Sequence, residues 1–179
     1  MKILETKRLI LRAWAGADIV PMAAINCDPN VMECFPELQD EARTRSFIEG
    51  HKRSQAECGY SLYVVALKAT HEMIGFVGLM YQDFEAPFTP AVEIGWRLAS
   101  THWNKGCATE AAQAALDYAF DTLGLEEVVS MTAVQNTPSR RVMEKIGLHR
   151  NPSDDFDNAK LDDDSPLRRH VLYRKGCPI

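Results

Sequence analysis

The sequence predicts an α+β fold built on one mixed, strongly twisted sheet, and three observations carry that prediction. Two strand-like runs, residues 60–68 and 73–81, are separated by the short turn 69–72, which suits an antiparallel pair. An almost wholly apolar run, 91–99, leads through a glycine turn at Gly106 into an alanine-rich helical stretch, 109–123. A further strand-like run, 127–134, follows, so the second half of the chain alternates strand and helix.

The elements follow in order. Leu9-Ile10-Leu11 within residues 6–14 reads as the first strand. Asp18 is placed to cap a helix over 19–26, with Pro21 in its first turn, and Asp28-Pro29-Asn30 breaks that helix. Residues 40–57 read as a second helix, with Phe47 and Ile48 inward and Arg43, Arg45, Lys52 and Arg53 solvated; Gly50 weakens its middle. After the strand pair, 82–90 is a loop, and 91–99 is apolar on both faces, as a central strand requires. In the third helix Ala111, Ala115, Ala119 and Leu123 recur every four residues beside Ala112, Leu116 and Phe120, so small side chains permit close packing on the sheet; Gly124 ends it. Thr137 is positioned to cap a helix over 138–146, with Val142 and Ile146 inward and Gly147 as the stop. Residues 148–150 begin a strand, 151–166 form an acidic loop, and 167–174 close the sheet.

With 179 residues the chain reads as a single domain, 1–179, able to bury one sizeable core. A net charge of −5 argues against broad nucleic-acid binding. No apolar run reaches the roughly 18 residues that a membrane span needs, and residues 1–12 alternate charges without the apolar core of a signal peptide. Five cysteines lie scattered without C-x-x-C spacing, which suits a reducing, cytoplasmic setting and gives no reason to expect a disulfide framework, zinc or another metal. A homodimer is compatible with the sequence.

The chemistry concentrates in two segments. In Trp103-Asn104-Lys105-Gly106-Cys107-Ala108-Thr109, Gly106 lets the backbone approach a ligand and Ala108 keeps the approach clear. The amides of the turn and first helical residues then converge on one spot, as an anion site at a helix N-terminus requires. An ordinary glycine-turn helix entry is the competing reading for that segment alone. The second segment, Asn136-Thr137-Pro138-Ser139 through Lys145-Ile146-Gly147-Leu148, lies about thirty residues on, across a strand. The phosphate-binding pattern G-x-x-x-x-G-K-[ST] is absent, which ranks a phosphotransferase far lower. Glu93 is the only acid in its apolar strand, and a carboxylate there is costly unless solvated or used. It reads either as a proton acceptor or as a carboxylate tied to the adjacent strand. Cys107 reads as packing, Tyr173 as core, and His102 as a surface or capped histidine. His170, on the opposite face of the last strand, is placed to border an acceptor site.

Both segments resemble the GNAT superfamily of N-acetyltransferases. Trp103 stands where that family usually has Arg or Gln before x-x-G-x-G/A; Asn136, Lys145 and Gly147 match its second stretch, while Ser139 replaces the usual alanine and Met143 the usual tyrosine. These departures, the opening Glu5-Thr6-Lys7-Arg8-Leu9 and the closing Pro166-Leu167-Arg168-Arg169-His170 are similar to the branch that acetylates the N-terminal alanine of ribosomal proteins. The resemblance implies a sheet with helices on both faces and a splayed strand pair that holds coenzyme A. It implies acetyl-CoA as co-substrate, its pyrophosphate on the amides of Asn104, Lys105, Gly106, Ala108 and Thr109, and Arg140 or Arg141 at an outer phosphate. The pantetheine arm would lie along the strand, on an amide near Leu98, with one near Trp96 facing the acyl oxygen. Asn136 would hold the arm or the substrate. From the residues themselves, Glu93 is the candidate to take the amine proton, and the Ser139 hydroxyl reads either as stabilising the leaving thiolate, since Met143 has no proton to give, or as satisfying a helix-start amide. On that reading Glu93→Gln lowers turnover most at low pH. The expected acceptor is a primary amine, a protein N-terminus ahead of a small amine such as an aminoglycoside or polyamine. Asp83, Glu85 and the aspartates of 151–166 are the candidates for attracting a cationic one, with a solvated acidic surface as the competing reading for most of them. A catalytically silent acyl-CoA-binding module is the rival.

Overall fold

The computed structural model describes residues 1–177; the expected domain range 1–179 ends in two residues that lie outside it. The chain runs β1 (Lys2–Glu5), β2 (Leu9–Arg12), α1 (Ile19–Asn26), α2 (Glu41–Cys58), β3 (Leu62–Leu67), β4 (Met73–Gln82), β5 (Ala91–Leu98), α3 (Cys107–Asp121), β6 (Glu127–Ala133), α4 (Thr137–Lys145), β7 (His149–Arg150), β8 (Phe156–Asp157) and β9 (Arg169–Gly176). The strands form one mixed sheet in the order β1-β2-β3-β4-β5-β6-β9-β7, with β8 also on β9.

Two cores flank the sheet. Ile19, Met22 and Ile25 of α1 and Ile48 of α2 pack with Leu62, Val64 and Phe76 on one face. On the other, Ala111, Ala112, Ala115, Leu116, Ala119 and Phe120 of α3 join Met143 and Ile146 against Ile94, Leu98 and Val171. The alanine stripe therefore does what its spacing predicts, bringing α3 close to the sheet.

β1 through β5 are consecutive antiparallel neighbours. β5 and β6 are parallel, and their ladder holds a single partner pair, Glu93 with Val129. No partner pair follows Glu93, so the ladder leaves a gap beside Gly95 through Leu98. This is the splayed pair.

Three local expectations need correction. The first strand is a hairpin, because the Thr6 amide bonds the Leu9 carbonyl at 2.9 Å and folds residues 2–5 back as β1. Asp18 does not cap α1: its carboxylate takes Arg12 in two 2.7 Å bonds and the Ala15 amide at 2.8 Å, and a 3₁₀ turn leads directly into the helix. Thr137 does not cap α4. It is the first helical residue, and the Asn136 carboxamide caps the Ser139 amide.

Candidate active site

The turn between β5 and α3 is built for close backbone approach. Asn104 and Gly106 both sit in the left-handed region, at φ 57° and 76°. No side chain caps the first turn of α3. The amides of Cys107, Ala108 and Thr109 therefore keep their donors for a ligand, with the helix dipole behind them. Cys107 is buried, as its packing reading requires.

Residues far upstream hold this turn. Glu110 accepts from the Thr6 hydroxyl (2.6 Å), the Arg8 amide (2.9 Å) and Arg8 Nε (2.6 Å). Arg8 Nη1 then donates to the Lys105 carbonyl at 2.8 Å. Sequence spacing gives Thr6, Arg8 and Glu110 no role, and the Thr6-Lys7-Arg8 opening enters the sequence reading only as a likeness to the family branch. The Trp103 indole donates to the Leu98 carbonyl at 2.9 Å, tying the turn to the end of β5.

β5 presents its backbone in alternation. The Ala99 amide donates to Ile74 on β4, and the register runs unbroken from Leu98 to Ala91. Odd-numbered residues of β5 therefore bond β4, and the groups of Ile94, Trp96 and Leu98 point the other way. The Ile94 carbonyl indeed accepts the Ser130 hydroxyl of β6 at 2.8 Å. The amides of Trp96 and Leu98 thus face the gap.

Glu93 lies where the gap begins. It is buried, 8% exposed, and its carboxylate accepts from Gln82 Nε2 at 2.5 Å. Burial raises its pKa to about 7, against smaller lowering by Gln82, the Met131 amide and the Lys160 ammonium. Lys160 sits over the Phe84 ring at 4.7 Å, and Phe84, Phe88, Phe156 and His170 form one aromatic cluster. Lys160 and Gln82 carry no sequence signal: both lie at loop and strand-end positions outside any periodic pattern.

At α4, both ends of the Asn136 carboxamide are engaged, Oδ1 with the Ser139 amide (3.2 Å) and Nδ2 with the Thr132 hydroxyl (2.9 Å). The Ser139 side chain has no hydrogen bond among the described residues. Arg140 is committed to the Val134 carbonyl and the Tyr173 hydroxyl, whereas Arg141 is exposed. Met143 is buried in the core, and Tyr173 is buried with its hydroxyl on Glu144. His102 faces Glu72 at 3.2 Å. In the acidic loop, Asp154, Asp155, Asp157 and Asp163 pair with Arg174, Arg150, Arg169 and Arg168.

The arrangement joins an uncapped helix start, a strand edge with free amides and a buried acid with a pKa near neutrality. Comparisons with known proteins show the family. A family model described as an acetyltransferase (GNAT) domain matches residues 8–149. The N-acetyltransferase YnaD of Bacillus subtilis is 34% identical over 148 residues, covering 82% of each chain. A GNAT-family acetyltransferase structure from Bacillus anthracis superposes at TM-score 0.81 with 28% identity over 98% of each chain. The ribosomal-protein-S5-alanine acetyltransferase of Vibrio fischeri superposes at 0.77 with 18% identity over 97% of this chain and 96% of that one, a likeness of fold. The turn, the splayed strands and these matches place the chain in the GNAT family of acetyl-CoA-dependent N-acetyltransferases.

Proposed function

We propose that this enzyme moves an acetyl group from acetyl-CoA directly to the primary amine of a protein N-terminus. Glu93 carries the reading: it is a buried carboxylate at the last paired position before the gap, with a pKa brought to about 7. A base poised there accepts the amine proton near neutral pH. The amides of Asn104, Lys105, Gly106, Ala108 and Thr109 hold the pyrophosphate, and exposed Arg141 takes an outer phosphate. The Leu98 amide pairs with the pantetheine arm, and the Trp96 amide faces the acyl oxygen as negative charge develops there. The Ser139 hydroxyl donates to the departing thiolate. Asn136 serves mainly by orienting α4, because its carboxamide is already engaged at both ends.

The ion pairs of the acidic loop weaken the case for a polycationic acceptor. Four of its aspartates already face arginines, so less negative charge remains to attract a polyamine.

The test is the pH dependence of thiol release with an N-terminal peptide panel. Wild-type kcat/KM should rise through an apparent pKa near 7, the value burial gives Glu93. Glu93→Gln should lose that inflection and fall about 10²-fold or more at and above pH 7. Below pH 7 the wild-type acid is itself protonated, so the difference narrows. Burial thus reverses the expectation of the greatest loss at low pH. An unaltered profile in the variant removes Glu93 as the base.

A further inference from the structure

Arg97 is a buried cation without an anion. It is 8% exposed, on the α1–α2 face of β5. Its Nη1 donates to Asn26 Oδ1 at 2.6 Å and lies 3.5 Å from Gln39 Oε1. Phe35 stacks on the guanidinium at 4.0 Å, and Phe76 lies at 5.5 Å. Its Nε is buried with no hydrogen-bond partner, and among the described residues Nη2 has none either. All its polar partners are neutral. Burial lowers its pKa to about 10, with no carboxylate offsetting that shift. A charge taken out of water in this way costs stability unless something outside the chain compensates it.

The unpartnered part of the guanidinium is the Nε–Nη2 edge, the edge that meets a carboxylate with two parallel bonds. Across Gln39 from the guanidinium lies an open cavity of about 420 Å³ lined by Glu37, Gln39, Ala42, Arg43, Ser46 and Phe47. Gln39 belongs to both, lining the cavity and touching Arg97 at the long end of hydrogen-bond range. Along β5, Glu93 and Arg97 share one face, separated by about 13 Å, or about four extended residues. Between them Gly95 keeps the face low; a Cβ there would meet only the Met80 tip, at 3.7 Å.

We propose that Arg97 recognises a carboxylate on the acceptor: a peptide whose N-terminal amine reaches Glu93 carries an acidic group a few residues along, which pairs with the Nε–Nη2 edge. The proposal rests on the acetyl-transfer reading above and narrows its substrate to acid-bearing N-terminal peptides.

Two measurements test it. The first is thiol release from acetyl-CoA with C-terminally amidated peptides carrying one Glu at positions two to five, each against its Gln counterpart, with ω-amino acids as a small-molecule arm. Wild type should prefer one Glu register by roughly 10²-fold in kcat/KM. Arg97→Met should abolish the preference, and Arg97→Lys, which keeps the charge but loses the two-point edge, should reduce it. The second is calorimetric binding of the N-acetylated Glu and Gln peptides, which needs no turnover. Glu-selective binding in wild type that Arg97→Lys weakens supports the proposal. Turnover and binding that ignore the acid overturn it and leave acetyl transfer standing. Preference confined to ω-amino acids overturns the peptide assignment. If no amine releases thiol, acetyl transfer fails, and the binding measurement still decides whether Arg97 reads a carboxylate.

Discussion

Glu110 and Ser139 show how differently two polar residues at helix starts can serve one site. Glu110, in the first turn of α3, gathers Thr6 and Arg8, and through Arg8 fixes the Lys105 carbonyl. It acts on the turn's shape rather than on a ligand. Ser139 contributes only its amide to the fold, through the Asn136 cap. Its hydroxyl is therefore expendable for stability, and Ser139→Ala should change the unfolding free energy by no more than about 0.5 kcal/mol. If the hydroxyl steadies the leaving thiolate, the same variant should lose about tenfold or more in kcat with little change in the KM for acetyl-CoA. Steady-state kinetics beside a denaturant titration separates these effects, and normal turnover removes Ser139 from the chemistry.

Elements were legible where a period or a turn residue spoke for them. The alanine stripe of α3, the apolar β5 and the strand pair β3–β4 all appear where side-chain spacing puts them. What spacing does not encode is competition between neighbouring polar groups. Asp18 is a sound cap by type, yet Arg12 offers two charged bonds against one amide, so the carboxylate turns away. At α4 both Asn136 and Thr137 are capping types; Asn136 wins because its carboxamide reaches the Ser139 amide and also holds Thr132. The site shows the same limit. Its turn and its acid are local signals, whereas the Arg8–Glu110 tie spans 102 residues and leaves no periodic trace. The cap assignment is measurable. Asn136→Ala should cost about 1 kcal/mol or somewhat more, since the Thr132 hydroxyl also loses its partner, whereas Thr137→Ala should stay within about 0.5 kcal/mol. Equal losses in the two variants would return the cap to Thr137.

Across the whole molecule, the α1–α2 side of the sheet carries two titrating groups that oppose each other. Glu93 has its pKa raised by burial from 4.5 to about 7. The folded state then holds a proton that the unfolded chain has released, so this carboxyl makes stability fall as pH rises between those values. His51, on α2, is the reverse case. Burial lowers its pKa from 6.5 to about 4, its Nδ1 lies 3.0 Å from the Ser61 hydroxyl, and its ring centroid is 4.3 Å from that of Phe47. Here the unfolded chain takes up a proton that the folded state refuses, so stability is lost as pH falls from 6.5 towards 4. Each shift is worth about 3 kcal/mol across its own window, of opposite sign. Between about pH 4.5 and 6.5 the two slopes largely cancel, and wild type should show a shallow plateau in chemical denaturation once carboxylates such as Asp18 are ionised. Glu93→Gln removes one slope and should leave stability rising with pH across that interval, towards a variant more stable than wild type above pH 7. His51→Gln removes the other and should leave stability falling instead. The Glu93 variant would then be stabilised under the same conditions that cost it the most activity, so a carboxylate destabilising to the fold near neutral pH would be the one the reaction needs. Parallel profiles for wild type and both variants would show that neither group carries the shift its burial implies, and with that the argument for Glu93 as a base poised near neutrality loses its physical footing.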